Sequence, residues 1–580
     1  MQHDSLVADY SLPYSMDRLC HSHWFYPIKS LIFKPSFLLL HHDETRGFST
    51  CQNKAFRLYY TKKVVFNIKL KSKGVLLMKK YDVILIGTGS ANIIADAAIT
   101  QGLSVAIIER GSFGGTCLNR GCIPTKVMVT AASRIREIRE GGRIGVFADN
   151  ARLDWDILAK RLWEKIDESK SIQGYYDKFP NVDTYNGTAA FVDNHTLDVT
   201  LNDGTDAKIQ GDKIFIATGG RTNIPRIEGL EDVGYLTSES FFGESFPKKP
   251  YKSLIIIGGG PIGCEFAHVF DAAGTKITIV QHNARLLPKE DEAISAFILK
   301  QFRRYGMDVR LKQDTVSVTV RDGLKVLKIR DIDSGEEAEV AAEEILVAPG
   351  IKPTTDLLHL ENTDVRLDKR GYIETNEFLE TTADGIWALG DINGMAPFRH
   401  KANYEAEIIA HNLFSGNEPE NWRWASYDII PAVTYTYPEV AQVGLSEENA
   451  KKKGYDVETA INHYSASAKG YAMGFEPGQD DDGFIKLVVD KKTKFILGAH
   501  IIGPEASILI QPFINNLMSG EHTLQPVHED IASETAKKLR ALPLTRTLTP
   551  KSVYTFSETM TPHPSLSEVV MWTRYYYEGK

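Results

Sequence analysis

Two cysteines separated by four residues, Cys117 and Cys122, lie in the segment Gly114-Gly115-Thr116-Cys117-Leu118-Asn119-Arg120-Gly121-Cys122-Ile123-Pro124-Thr125-Lys126. Thiols at this spacing close a ring if the start of a helix is distorted. Flanking glycines, Gly115 among them, let the backbone at Thr116 come close to a flat ring system. Two blander readings compete: a buried pair packed as small hydrophobes, or half of a zinc site. The zinc reading lacks ligands, because Cys20, Cys51 and Cys264 form no second pair at ligand spacing, and no metal is expected. Cys264 sits in a helical stretch and reads as core. Far downstream, His563 is followed by Glu568 in His563-Pro564-Ser565-Leu566-Ser567-Glu568. A carboxylate behind an imidazole fixes its tautomer and stabilises the imidazolium, which is what a general base near neutral pH requires.

Chemistry of this kind needs elements that hold an electron donor beside the thiols. The run Tyr81-Asp82-Val83-Ile84-Leu85-Ile86 reads as a buried strand and is followed by Gly87-Thr88-Gly89-Ser90-Ala91-Asn92 and an Ala/Ile-rich helix. Gly87 permits the tight turn, and Gly89 lets a pyrophosphate approach the backbone and rest on the helix N-terminus. Asn92 replaces the third glycine of the usual fingerprint. Glu109 ends the next strand about 20 residues on, where an acid bonds ribose hydroxyls. A second strand–turn–helix pattern, with all three glycines Gly258, Gly260 and Gly263, follows Leu254-Ile255-Ile256-Ile257. One cofactor needs one such site. Two sites point to electron relay between two dinucleotides, FAD and a nicotinamide.

At 580 residues the chain is too long for one core, so about three or four packed units are expected. Hydrophobic residues at 43% and charged residues at 24% are the balance of a globular enzyme. A net charge of −8 offers no general attraction to nucleic acid or to an anionic membrane. Five cysteines cannot staple a chain of this length, which points to a reducing compartment, the cytoplasm by default. The apolar run Leu31 to Leu40 is short and interrupted by Lys34 and Pro35, so it reads as neither a membrane span nor an export signal. Residues 1–77 lack sustained periodicity and stop where the strand pattern begins at Met78. They read as a non-native or disordered extension, and Lys73-Gly74-Val75 is encodable by a ribosome-binding sequence ahead of a start at Met78.

With the dithiol segment and both glycine turns in view, the chain from Met78 onward resembles the pyridine nucleotide-disulfide oxidoreductases. That group includes dihydrolipoamide dehydrogenase, glutathione reductase, mercuric reductase and mycothione reductase. The resemblance implies that Cys117 is the interchange thiol attacking substrate and that Cys122 is the thiolate against the flavin. It also implies a flavin-side pair of Lys126 with Glu265. Ile216-Ala217-Thr218-Gly219-Gly220-Arg221 resembles the segment where the chain leaves the FAD domain, which puts Thr218 and Gly219 on the cofactor. Trp387-Ala388-Leu389-Gly390-Asp391 resembles the stretch whose aspartate binds the ribityl and pyrophosphate part of FAD. In relatives the His-Glu pair reaches the dithiol of the other subunit, so the resemblance implies an obligate homodimer.

The expected fold is α/β, with two Rossmann-like dinucleotide-binding domains, for FAD and NAD(P), and a C-terminal α+β dimerisation domain. The boundaries expected are 78–227 and 353–425 for the FAD domain, 228–352 for the NAD(P) domain and 426–580 for dimerisation. Thr434 to Pro438 and Phe484 to Val489 read as strands. Several positions depart from the commoner pattern. Pro261 stands where an aromatic or aliphatic residue often covers the nicotinamide pocket. The turn Val347 to Pro353, whose Gly350 is expected on the cofactor, lacks the usual Thr and Arg. The proline-rich stretch from Gly520 to Pro562 reads as an inserted loop near the dimer interface. Gln281 replaces the acid that would bond a free 2′-hydroxyl, and His282 and Arg285 follow, so NADPH or dual use is favoured slightly.

The function expected is transfer of electrons between NAD(P)H and a small disulfide or dithiol, in the manner of dihydrolipoamide dehydrogenase or mycothione reductase. Mercuric reductase is disfavoured, because the C-terminus lacks paired cysteines. The alternatives are a structural component of a 2-oxoacid dehydrogenase complex, which would not need the dithiol, and an NAD(P)H oxidase or peroxide reductase, which works with one active cysteine.

Overall fold

The computed structural model describes residues 78–576, and the expectations for residues 1–77 lie outside the described residues. The strand Lys79–Ile86 buries four consecutive residues, Val83 to Ile86, the pattern of a strand covered on both faces. It is flanked in parallel by Val105–Glu109 and Asp206–Ile216. Val182–Phe191 extends the sheet on one side and Ile386–Ala388 on the other. The last of these strands comes from far along the chain, so residues beyond 353 complete a sheet begun before the second glycine turn. The later half of Val182–Phe191 bends into an antiparallel meander with Thr196–Leu201 and the start of Asp206–Ile216.

A second parallel sheet has the order Glu344–Val347, Ser253–Ile257, Lys276–Gln281, Asp308–Leu311. Its companion is a three-stranded antiparallel meander of Gln313–Arg321, Leu324–Asp331 and Glu337–Ala342. The C-terminal unit is built on five antiparallel strands in the order Ala432–Thr434, Glu439–Gly444, Ile496–Gly503, Phe484–Asp490, Val457–His463. Two Rossmann-like units and a C-terminal α+β unit are therefore present. In both parallel sheets the glycine turns lie at the carboxyl ends of the strands, where open α/β sheets bind ligands.

The 19-residue helix Cys122–Glu140 ties these units together. Its Met128, Val129 and Ala132 share one core with Cys264, Phe266 and Phe270 of the helix Pro261–Ala272 and with Tyr435 and Val440 of the C-terminal unit. Cys264 is fully enclosed there, and burial keeps it a thiol, in agreement with a core role.

Two local expectations are corrected. The strand read over Thr434 to Pro438 ends at Thr434, because the next backbone N–H, that of Tyr435, is spent on Glu265 Oε1 at 2.9 Å instead of a ladder partner. The stretch from Gly520 to Pro562 is not an open loop. Gly520–Thr523 pairs with Thr545–Leu548, and the helix Glu534–Arg540 lies between them. Leu524 and Leu539 bury against Phe378 and Trp424, while Arg540 bonds both oxygens of the fully buried Glu377 at 2.8 Å. No helix among the described residues is long and apolar enough to cross a membrane.

Candidate functional site

Gly87 has φ +98°, and a Cβ there would lie 2.5 Å from the Ala217 carbonyl oxygen, so only glycine lets the first turn pass between its neighbours. Gly115 is held as tightly, because its Cβ would fall 2.7 Å from Gly89 Cα. The phosphate turn and the segment leading to the dithiol thus touch backbone to backbone. Glu109 secures the turn, accepting from Thr88 N at 3.0 Å, Thr88 Oγ1 at 2.6 Å and Gly111 N at 2.8 Å. Its carboxylate therefore has a structural duty besides any contact to ribose.

In the second turn, Gly258 has φ +113° and a Cβ there would meet the Ala348 carbonyl oxygen at 2.4 Å, while one on Gly263 would come within 2.0 Å of the Gly258 oxygen. Nothing lies within 4 Å of the corresponding points at Gly219, Gly260 and Gly350, which leaves open space beside them. Gln281 turns inward: its Oε1 accepts from Gly259 N at 2.9 Å and its Nε2 donates to the Arg285 carbonyl at 3.2 Å. It braces the turn and does not reach outward. His282 pairs with Asp314 and Arg285 with Glu448, each at 3.0 Å.

The dithiol sits on a break between two helices. Cys117 lies within Gly115–Arg120 and Cys122 opens Cys122–Glu140, with Gly121 as the joint. A Cβ on Gly121 would come 2.9 Å from the Thr116 carbonyl oxygen, so a larger residue would push the helices apart. Asn119 clamps the short helix by donating to the carbonyls of Ser112, Phe113 and Gly115 at 3.2, 3.0 and 3.0 Å. Thr116 is exposed beside the pair.

The two thiols are electrostatically unequal. Cys122 is lowered to about 6, first by the hydrogen bond it receives from Cys117 and then, against the cost of burial, by the charges of His563, Lys126 and Arg399. Its place at a helix N-terminus favours the thiolate too. Cys117 is raised well above the usual thiol range, by its bond to Cys122 first and by burial second.

Lys126 Nζ donates to both oxygens of Glu265, at 2.9 and 2.7 Å, so the expected pair forms. Tyr435 joins it: Lys126 Nζ lies 4.5 Å from its ring centre, and its hydroxyl donates to the Pro564 carbonyl at 2.6 Å. His563 Nδ1 meets Glu568 Oε1 at 2.7 Å, and His563 Nε2 lies 3.3 Å from Cys117 Sγ. This contact is made within one chain. The structure describes a single chain, so the expected reach of the pair to a partner subunit's dithiol is carried forward, and ion pairs hold the tail in place. Arg423 meets Glu558 at 2.8 Å, Arg546 meets Glu558 at 2.7 Å, and Arg574 meets Glu407 at 2.8 Å.

The polar groups beside the first turn suit a flavin dinucleotide. The Thr218 hydroxyl is buried without a partner among the described residues. The Asp391 carboxyl makes no hydrogen bond to a described residue, and burial raises it to about 6. Both are groups that a ribityl chain and its phosphates would satisfy. The Gly390–Asp391 turn is held from behind by a fully buried network. Lys401 Nζ donates to the Gly390 carbonyl, Asn393 Oδ1 and Glu405 Oε2, while Glu405 accepts from Gly390 N and Tyr427. No group of three His, Cys, Asp or Glu among the described residues could hold a metal ion.

Sequence reasoning did not assign Asn119, Tyr435, Lys401 or Glu405 to the site. Only the i, i+4 spacing of Lys401 and Glu405 was a usable signal.

Comparison with known proteins agrees with this geometry. Residues 81–425 match the family described as pyridine nucleotide-disulphide oxidoreductase, and residues 430–533 match its dimerisation domain. The chain is 34% identical to mycothione reductase of Mycobacterium tuberculosis over 76% of its own length and 94% of that protein. It is 33% identical to mercuric reductase of Lysinibacillus sphaericus over 76% and 78%. The structure of a Cu(II) complex of the HOCl-induced flavoprotein disulfide reductase RclA from Escherichia coli superposes with a TM-score of 0.65 at 27% identity, covering 86% of this chain and 99% of that one. The dimerisation domain supports a homodimer. The chain belongs to the pyridine nucleotide-disulphide oxidoreductase family, as an FAD- and NAD(P)H-dependent enzyme acting on a sulfur group.

Proposed function

We propose that the enzyme reduces a low-molecular-mass disulfide in the cytoplasm, with Cys117 as the attacking thiol, Cys122 as the resident thiolate and His563 as the acid–base group. The observation that carries this reading is the linear order of the three groups. Cys117 stands between the Cys122 thiolate and His563 Nε2, within 3.3 Å of the latter. His563 takes the Cys117 proton, the Cys117 thiolate attacks one sulfur of the substrate disulfide, and the imidazolium returns the proton to the departing thiolate. Cys122 then displaces the second substrate thiol from Cys117 and closes the Cys117–Cys122 disulfide. Glu568 holds the imidazole and balances its charge. FAD held beside Cys122 would supply the redox chemistry that links NAD(P)H to this disulfide.

Gly87, Gly89, Gly115, Thr116, Thr218, Gly219 and Asp391 would hold the flavin dinucleotide, with Glu109 at its ribose and Lys126–Glu265 at its ring. Gly258, Gly260, Gly263, Gln281 and Gly350 would border the nicotinamide dinucleotide. Because Gln281 is turned inward, no acid at that position repels a 2′-phosphate, which favours NADPH or dual use. Cys117 and His563 are both largely enclosed, which favours a slender substrate over a disulfide on a folded protein surface. The test is anaerobic oxidation of NADPH and NADH against a panel of small disulfides, lipoamide included. Turnover with a small disulfide supports the reading, and turnover confined to oxygen or peroxide overturns it.

A further inference from the structure

Tyr435 stands between two parts of the site and touches both. On one side its backbone N–H donates to Glu265 Oε1 at 2.9 Å and its ring lies 4.5 Å from Lys126 Nζ, so the Lys126–Glu265 ion pair fixes the residue at its base. On the other side its hydroxyl donates to the Pro564 carbonyl at 2.6 Å. The residue is 7% exposed, and burial above all holds the phenol well over the ordinary tyrosine range, so it keeps the proton it donates.

The accepting carbonyl belongs to the peptide that joins Pro564 to Ser565, and the N–H of that same peptide donates to Glu568 Oε2 at 3.1 Å. The other oxygen of Glu568 meets His563 Nδ1 at 2.7 Å, and Nε2 of that ring lies 3.3 Å from Cys117 Sγ. One carboxylate is thus shared between the peptide that Tyr435 holds and the imidazole. A donor on a peptide carbonyl polarises the amide and strengthens the bond given by its N–H. The phenol therefore sets both where this peptide lies and how firmly it grips Glu568. Ser565 Oγ donates separately to the Ser507 carbonyl at 3.1 Å, so the loop has a second anchor that does not involve Tyr435.

We propose that Tyr435 is a positioning residue for the thiol half-reaction, its hydroxyl setting the His563 imidazole against Cys117 through the Pro564–Ser565 peptide and Glu568. The proposal rests on the reading of His563 as the acid–base group. No proton passes through the phenol. Proton transfer between imidazole and sulfur depends steeply on their alignment, so a small swing of the Glu568 carboxylate is felt at Cys117.

The test removes the hydroxyl alone: Tyr435→Phe keeps the ring over Lys126 and the N–H to Glu265. Holoenzyme is reduced anaerobically with dithiothreitol, freed of the reductant and treated with iodoacetamide, which reacts with Cys117 only as its proton is taken. Tryptic cleavage at Arg120 separates the two cysteines, so the alkylation rate of each is read by mass spectrometry. Tyr435→Phe should slow alkylation of Cys117 by about tenfold, the scale of one hydrogen bond. In a His563→Gln background, where the imidazole is already gone, the same change should add nothing. A merely structural loss would slow alkylation equally in both backgrounds. That result, or an unchanged rate in Tyr435→Phe, overturns the proposal and leaves His563 its role. Alkylation of Cys117 at the wild-type rate in His563→Gln would instead overturn the acid–base reading, and the proposal with it.

Discussion

Replacing His563 by glutamine separates the two half-reactions of the enzyme. The imidazole has one partner on each nitrogen, Cys117 Sγ at 3.3 Å from Nε2 and Glu568 Oε1 at 2.7 Å from Nδ1. Glutamine can hydrogen-bond in the same place but cannot carry a proton between two sulfurs near neutral pH. Loss of a general acid–base of this kind costs roughly 10²–10⁴-fold. At about 1.36 kcal/mol per decade that is roughly 2.7–5.5 kcal/mol of transition-state stabilisation. Hydride transfer from NAD(P)H needs no imidazole, so stopped-flow reduction of the flavin should proceed nearly as in the wild type while disulfide turnover collapses. A second signature follows from the charge of His563, which helps to hold Cys122 down at about 6. Cys122 is an acid whose charged form this charge favours, so its removal moves the titration upward. The thiolate absorbance of the reduced enzyme should fade at a higher pH in His563→Gln than in the wild type. If the flavin step falls in parallel with turnover, or the thiolate midpoint stays put, His563 does not act on the dithiol.

Three further outcomes are expected. The long-wavelength thiolate absorbance should survive Cys117→Ser and vanish in Cys122→Ser, and the reverse pattern would exchange their roles. Glu290 is buried with Oε2 unbonded and is raised to about 8, so from its ordinary carboxyl range up to about pH 8 the folded chain keeps a proton that the unfolded chain has released. Its contribution to stability is lost as pH rises through that window, so Glu290→Gln should gain unfolding free energy over the wild type at pH 8, by up to about a few kcal/mol, and little at pH 4.5. Equal calorimetric shifts at both pH values would show that Glu290 is not buried as a neutral acid. If the His563–Glu568 pair serves the partner's dithiol, as the family resemblance implies, co-expressed Cys117→Ser and His563→Gln chains should recover disulfide turnover in mixed dimers, and no recovery would place the contact within one chain. Recovery above both parents would show that the tail serves the neighbouring subunit.

The parts of the site that were legible in the sequence obey local rules. Gly87 and Gly258 are fixed by φ and by the carbonyls of Ala217 and Ala348, and a strand–glycine–helix pattern is readable in a short window. The Cys117–Cys122 spacing and the break at Gly121 are equally local. The meeting of His563 with Cys117 spans 446 positions and could come only through family resemblance. Tyr435 was read as a strand residue because its aromatic, β-branched neighbourhood suits a strand, whereas its N–H had been claimed by Glu265. The stretch from Gly520 to Pro562 looked loop-like because its elements are short and bounded by prolines. Its order comes from Glu377 and Phe378, far away in sequence.

The order of parts along the chain has a consequence for the enzyme during its own synthesis. Both dinucleotide-binding units and the dithiol precede His563, which completes the site from a segment that follows all of them. Domains fold largely in the order in which they emerge from the ribosome. A nascent chain therefore reaches a stage at which it can take up its cofactors while Cys117 still lacks a proton acceptor. Until a tail docks, with Glu558 and Arg574 holding it, no imidazole stands beside Cys117 to take its proton, so the young chain is poorly able to exchange with the other thiols around it.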